Sequence, residues 1–191
     1  MIEAALISKQ KLIEGNERFV RGESIERTIN KNELEELAAK GQKPFALIVC
    51  CSDSRVPPEL LFDQGFGDIF VVRTAGNVVD EVGLGSIEYG AEHLHIPLIV
   101  VLGHENCGAV KATIDGGPAQ GAVKSITDRI YVSYSKLKDS ENIYAECEDE
   151  NIRSTINEIK GNPLIAHLIS AGKTEVIGAK YGIRSGEVRF F

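Results

Sequence analysis

The chain has 191 residues, 43% hydrophobic and 26% charged, an ordinary globular composition for which one domain is the natural expectation and no disulfide staples are needed. A net charge of −7 argues against a free basic face for nucleic acid, so small anions must be drawn in by local positive groups. The four cysteines, two of them adjacent, make a poor disulfide framework at this size and fit reduced thiols in the cytoplasm.

From the start, Met1-Ile2-Glu3 leads into an amphipathic segment rather than the basic and then apolar stretch of an export signal. Ala5, Leu12 and Phe19 recur every seven residues beside Leu6, Ile13 and Val20, and this double stripe predicts an N-terminal helix. Asn30 with Glu33 three residues on marks a second helix start, ahead of Leu34, Leu37 and Ala38. Short, largely apolar runs follow at 45–50, 69–72, 98–102 and 175–179, the last opening on Glu175, a pattern that suits buried parallel strands. None approaches the roughly 20 residues of a membrane span. A helical stretch at 85–94 lies between the second and third runs. Further on, Ile126, Ile130, Tyr134 and Leu137 make one helix face and Ile152, Ile156 and Ile159 another. The acidic stretch 146–150 between them reads as a solvated surface. Strand runs alternating with helical ones predict an α/β fold with helices on both faces of the sheet.

Two segments concentrate the reactive side chains. Cys51-Ser52-Asp53-Ser54-Arg55 follows the first strand run, and His104-Glu105-Asn106-Cys107 follows the third. Both therefore sit at strand C-termini, where open parallel sheets build their sites. Two thiolates and an imidazole are natural zinc ligands, and a set of three leaves the fourth tetrahedral position open, as a catalytic rather than structural site requires. Cys50 should point to the opposite face of the strand from Cys51. Cys147 has no paired ligand nearby in sequence. A His-x-x-Cys spacing is weak by itself, but Asp53 and Arg55 two apart at a strand end are costly unless they pair with each other or with a ligand. His93 and His95 could be imagined as a metal pair or a proton shuttle, but they read as helix-end residues ahead of the third strand.

Cys51-x-Asp53-Ser54-Arg55 followed by His104-x-x-Cys107 resembles the signature of the β-class carbonic anhydrases. The similarity extends to Val56-Pro57, Phe70-Val-Val-Arg73, Ala75-Gly76-Asn77, Ile87-Glu88-Tyr89 and Val101-Leu102-Gly103-His104, and is densest over about residues 42–115. The resemblance implies a single domain with a central, mostly parallel β-sheet flanked by helices. It is divided into an N-terminal helical arm (1–40), a zinc-site core (41–115) and closing helices and strands (116–191). It also implies Zn2+ on Cys51, His104 and Cys107, with Asp53 and Arg55 as a catalytic dyad and Asp53 a fourth ligand in a closed state. Gln42 would reach substrate across a dimer interface. Phe70, Ala75 and Tyr89 would line a narrow apolar pocket, and Gly108 would let the backbone approach substrate closely. Some members carry a Trp three residues before the first ligand, part of a regulatory second bicarbonate site. Here that position is Ile48 and the chain has no Trp, which puts that regulation in doubt.

The implied reaction is reversible hydration of CO2 to bicarbonate and a proton by zinc-bound hydroxide. Two thiolates cancel the charge of Zn2+, so the bound water should be less acidic than on an all-histidine zinc. The implied partners are the small-molecule substrate and further copies, as a homodimer or a dimer-based oligomer, with no nucleic acid and no membrane. Rival readings are a same-fold hydrolase of carbon disulfide or carbonyl sulfide, a zinc-binding homologue without turnover, and a thiol redox protein. Against the last, Cys50-Cys51 lacks the two-residue spacer of a redox pair.

Overall fold

The computed structural model describes residues 1–25, 31–116 and 120–191. Helices α1 (Glu3–Arg21) and α2 (Lys31–Lys40) precede strand β1 (Ala46–Cys51), the short α3 (Pro58–Leu61) and β2 (Ile69–Thr74). A 3-10 turn at Ala75–Asn77 leads into α4 (Glu81–Glu92), β3 (Leu98–His104) and α5 (Gly108–Asp115). Then come α6 (Val123–Tyr134), α7 (Ile143–Gly161), α8 (Pro163–Ser170), β4 (Glu175–Tyr181) and β5 (Val188–Phe190). Asn30, read as a helix start, lies outside the described residues.

The five strands order β2-β1-β3-β4-β5. The first four are mutually parallel and only β5 runs antiparallel, against β4. Every residue of β1 and β3 is buried, as their unbroken apolar runs predict. Alternation then sorts the side chains. Ala46, Ile48, Cys50, Leu98, Val100 and Leu102 face α1, meeting Ala5 and Leu12. Leu47, Val49, Ile99 and Val101 face the other layer, meeting Ile87 of α4, Ile152 and Ile159 of α7 and Ile165 of α8. Cys50 and Cys51 accordingly lie in different clusters.

The strands run further than their apolar stretches. β1 includes Cys51, in register with Thr74, and β3 includes His104, in register with Tyr181. Ladder hydrogen bonds carry the backbone past the point where hydrophobicity stops, so two of the reactive side chains stand on strand ends rather than on loops. The hairpin strand β5 has no apolar run to announce it: Arg189 sits at its centre. In α1 only one of the two stripes is used within the chain. Ala5 and Leu12 are buried, whereas Leu6 and Val20 are 51% and 42% exposed.

The acidic stretch is a correction. It forms part of α7, and Cys147 and Glu148 are buried, Glu148 to 7% exposure. The carboxylate tolerates this because Lys180 of β4 lies 2.9 Å from its Oε2, leaving Oε1 to accept the Cys107 N–H at 3.2 Å.

Candidate metal centre

Cys51 ends β1, His104 ends β3, and Cys107 is the residue from which α5 starts. Adjacent parallel strands place the first two side by side, and the tight turn through Asn106, with φ 55°, swings the third back toward them. Their Sγ and ring nitrogen atoms all lie within 4.8 Å of one another, and all three residues are buried. Among the described residues this is the one such group of three or more potential ligands, and it includes neither His93, His95 nor Asp53.

The donor set fits a metal on its own chemistry. His104 Nδ1 lies 2.8 Å from the Glu105 carbonyl, which fixes the proton on Nδ1. Nε2 is left buried with no hydrogen-bond partner, a lone pair directed into the cluster. Buried polar atoms are rarely orphaned without a reason. Cys51 Sγ accepts N–H groups from Asp53 at 3.4 Å and Gly76 at 3.2 Å. The Cys51 thiol is pulled down to about 4, first because the Cys107 S–H donates to it, then by His104 and those backbone groups, all against the cost of burial. Cys107 is pushed up, first because it is that donor and then by burial, while the Ala109 and Val110 N–H groups of the first turn of α5 favour its thiolate. The two thiols lie close enough to perturb each other, and a divalent cation binding there would require both as thiolates. Burial opposes a charged His104, but the neighbouring Cys51, the Glu105 carbonyl and Asp53 outweigh it and raise its pKa.

At the mouth, Arg55 grips Asp53 with two parallel bonds, Nε to Oδ1 at 2.9 Å and Nη2 to Oδ2 at 2.7 Å. The Arg55 backbone N–H adds a third, to Oδ1, at 2.9 Å. This fork holds the Asp53 carboxyl down at about 2, with the Arg55 side chain the largest cause. Arg55 Nη2 also reaches the Asn106 carbonyl at 3.2 Å, tying the two loops together. Arg73 of β2 donates to the carbonyls of Cys51 at 3.1 Å and Asp53 at 2.8 Å. Its position inside the Phe70-Val-Val-Arg73 segment gave it no role in the sequence. Only the register of β2 on β1 brings it under the first loop.

The remaining candidates divide into two groups. Ala75 follows β2 directly, one residue from the Gly76 N–H on Cys51, and Gly108 follows Cys107. A Cβ added at Gly108 would meet nothing within 4 Å. Phe70, by contrast, pairs with Leu47, four residues before Cys51. At about 3.3 Å per residue that is about 13 Å down the sheet from the cluster. Tyr89 of α4 sits with it, ring centroids 6.2 Å apart, and His93 stacks on Tyr89 at 5.4 Å. Gln42 is exposed and lies before β1, beyond the strand's opposite end. Within one chain these three do not converge on the metal cluster.

The residues that sequence reasoning missed lie on α7. Besides Glu148, Asn151 Nδ2 donates to the Gly76 carbonyl at 2.7 Å and Thr155 Oγ1 to the Asn77 carbonyl at 3.2 Å. The signal was present as polar residues at helical spacing inside the Ile152, Ile156, Ile159 stripe, where a core face should be apolar.

The family model described as "Carbonic anhydrase" matches residues 46–188. "Carbonic anhydrase 2" of Mycobacterium tuberculosis is 41% identical over 181 residues, covering 92% of this chain and 87% of that protein. A carbonic anhydrase of Mycolicibacterium smegmatis is 40% identical, covering 93% and 88%. Among solved structures, one of two tetrameric β-carbonic anhydrases of the ascomycete Sordaria macrospora superposes with a TM-score of 0.79 at 27% identity, covering 85% of this chain and 87% of that one.

Proposed function

This chain belongs to the β-class carbonic anhydrase family and catalyses the reversible hydration of CO2 to bicarbonate, and we propose that it does so with zinc held by Cys51, His104 and Cys107. The observation that carries the zinc assignment is the orphaned His104 Nε2 buried between two thiols. Soft thiolates with one imidazole in a compact group select zinc over hard cations. Zinc in that position supplies a hydroxide nucleophile near neutral pH.

The chain's own residues do the rest. Arg55 keeps Asp53 ionised and its carboxylate plane fixed. An ionised Asp53 can accept only, so it takes a hydrogen bond from the attacking oxygen and turns a lone pair toward the carbon of CO2. Arg55, bound to Asp53 and to the Asn106 carbonyl, holds the Asp53 carboxylate outward at the mouth of the site, which supports an orienting role for it over that of a fourth ligand. Ala75 and Gly108 flank the reacting centre, and Gly108 leaves open space beside it.

Gln42, Phe70 and Tyr89 serve the site of a second copy. Their separation from the cluster within one chain supports this, as does the exposed outer stripe of α1, which a two-fold pair would cover. The reading includes one domain with the arm at 1–40, and the cytoplasm as its place, which suits four free, buried cysteines. No described helix is long and apolar enough to cross a membrane. Hydrolysis of carbon disulfide or carbonyl sulfide is not favoured, because the relatives at 40–41% identity are carbonic anhydrases.

Zinc content measured together with stopped-flow CO2 hydration tests the assignment. One zinc per chain is expected. For Asp53→Asn, the expectation is retained zinc and a loss of about tenfold or more in kcat/KM from about pH 6 to about pH 9. An Asp53→Asn protein as active as its parent across that range would refute the orienting role.

A further inference from the structure

The polar face of α7 touches both the loop that carries Cys107 and the turn after β2 whose Gly76 N–H backs Cys51. Glu148, Asn151 and Thr155 are 7%, 2% and 3% exposed and follow one another at three- and four-residue spacing, so they share one helix face. That face lies hard against β3: a Cβ at Gly103 would come within 2.5 Å of the Ile152 side chain, so only glycine permits the approach. The next residue along the strand is His104.

Resting on the metal reading above, we propose that this face is a positioning frame for both cysteine ligands. Glu148 sets Cys107 through the Cys107 N–H, and Asn151 sets Cys51 through Gly76. Gly76 is fixed on both sides. Its N–H points at Cys51 Sγ, 3.2 Å away, and its carbonyl accepts Asn151 Nδ2 at 2.7 Å. Its φ of 71° is in the left-handed region that glycine adopts without strain. Glu148 is held in turn. Lys180 Nζ lies 2.9 Å from its Oε2 and 2.8 Å from Asp149 Oδ1, and donates to the Ala145 carbonyl at 3.0 Å. Lys180 is the register partner of Gly103, so the ion pair closes a ring from β4 through α7 to the second loop. A rigid helix therefore couples two loops that reach the site from different strands. Outer partners of this kind are worth about 10- to 100-fold in metal affinity.

The test is the rate at which zinc passes from the loaded protein to excess chelator, with the thiolate-to-metal absorption of the cobalt-substituted protein as a second readout. Glu148→Ala and Asn151→Ala are expected to release zinc at least about tenfold faster than the parent and to shift the cobalt band. Glu148→Gln keeps an oxygen for the Cys107 N–H but turns its NH2 toward Lys180, so its zinc retention should fall between those of Glu148→Ala and the parent. Ser154→Ala removes a bond to Ser133 on the side of α7 that meets α6. It should lower the melting temperature and leave zinc release unchanged, which separates positioning from general stability. If an alanine variant fails to fold, Glu148→Met and Asn151→Leu preserve volume and carry the same expectation. Release at the parent rate from folded variants overturns the inference alone, whereas a parent that binds no zinc removes its premise as well.

Discussion

The loops at the C-terminal ends of β1 and β3 differ from the outer surfaces of α1 on one sheet face and of β2 and α4 on the other in how completely one chain satisfies them. In the loops, charged and donor groups find partners within the chain: Asp53 with Arg55, Arg73 with two carbonyls, Cys107 with Glu148. Within these two loops the buried side-chain atom without a hydrogen-bond partner is His104 Nε2, where a metal would bind. On the outer surfaces the chain stops short. Tyr89 is 47% exposed, Leu6 and Ile7 51% and 54%, and β2 is an edge strand of the sheet. Polar geometry is short-ranged and can be finished by local contacts, whereas an apolar surface of that extent is finished only by another surface. On the proposed reading, the metal chemistry is built within one chain and the pocket's outer wall would be completed by association.

The largest effect should come from breaking the self-contained half. Cys51→Ala, His104→Ala or Cys107→Ala should lose zinc and at least about a hundredfold in CO2 hydration, because ligand loss exceeds loss of an outer partner. Cys50→Ala, whose sulfur lies in a different cluster, and Cys147→Ala, whose thiol packs in the same cluster but is not one of the three converging ligands, should keep both. Full zinc in Cys107→Ala by elemental analysis would break the division at its root.

The unfinished half should respond differently. Charges on the outer stripe of α1, as in the double variant Leu6→Glu with Val20→Glu, should shift the protein to single chains in sedimentation. Zinc should be retained and kcat/KM should fall about tenfold or more, since Gln42, Phe70 and Tyr89 no longer meet a second copy's site. A fully active single chain would show the pocket to be complete without association.

The smallest effect concerns acid. Asp53 is held at about 2 against an ordinary 3.8, with Arg55 the first cause. A carboxylate with a lowered folded pKa contributes stability that is full above its unfolded value and lost as pH falls through the folded one. In metal-stripped protein, Arg55→Ala should therefore cost a little stability at neutral pH, and the gap from the parent should close between pH 3.8 and about 2. Denaturant midpoints for the two proteins over that window measure it, and a constant gap would show that the pair is not what depresses Asp53.

By itself the sequence determined the parallel α/β core, because four largely apolar runs can be buried only with helices on both faces. It also determined the reactive cluster, because Cys51, Asp53, Arg55, His104 and Cys107 follow two of those runs at strand C-termini. Tertiary structure alone decided what stands behind that cluster. Glu148 and Asn151 look like surface polar residues in sequence, and they become anchors because α7 packs on Gly103 and because Lys180, the register partner of Gly103 on β4, neutralises the buried carboxylate. The same holds for Phe70 and Tyr89. Composition marks them only as aromatics, and it took the register of β2 on β1 to show that they lie about 13 Å down the sheet from their own cluster. Local pattern records which residues are apolar or reactive, but long-range pairing decides which of them meet.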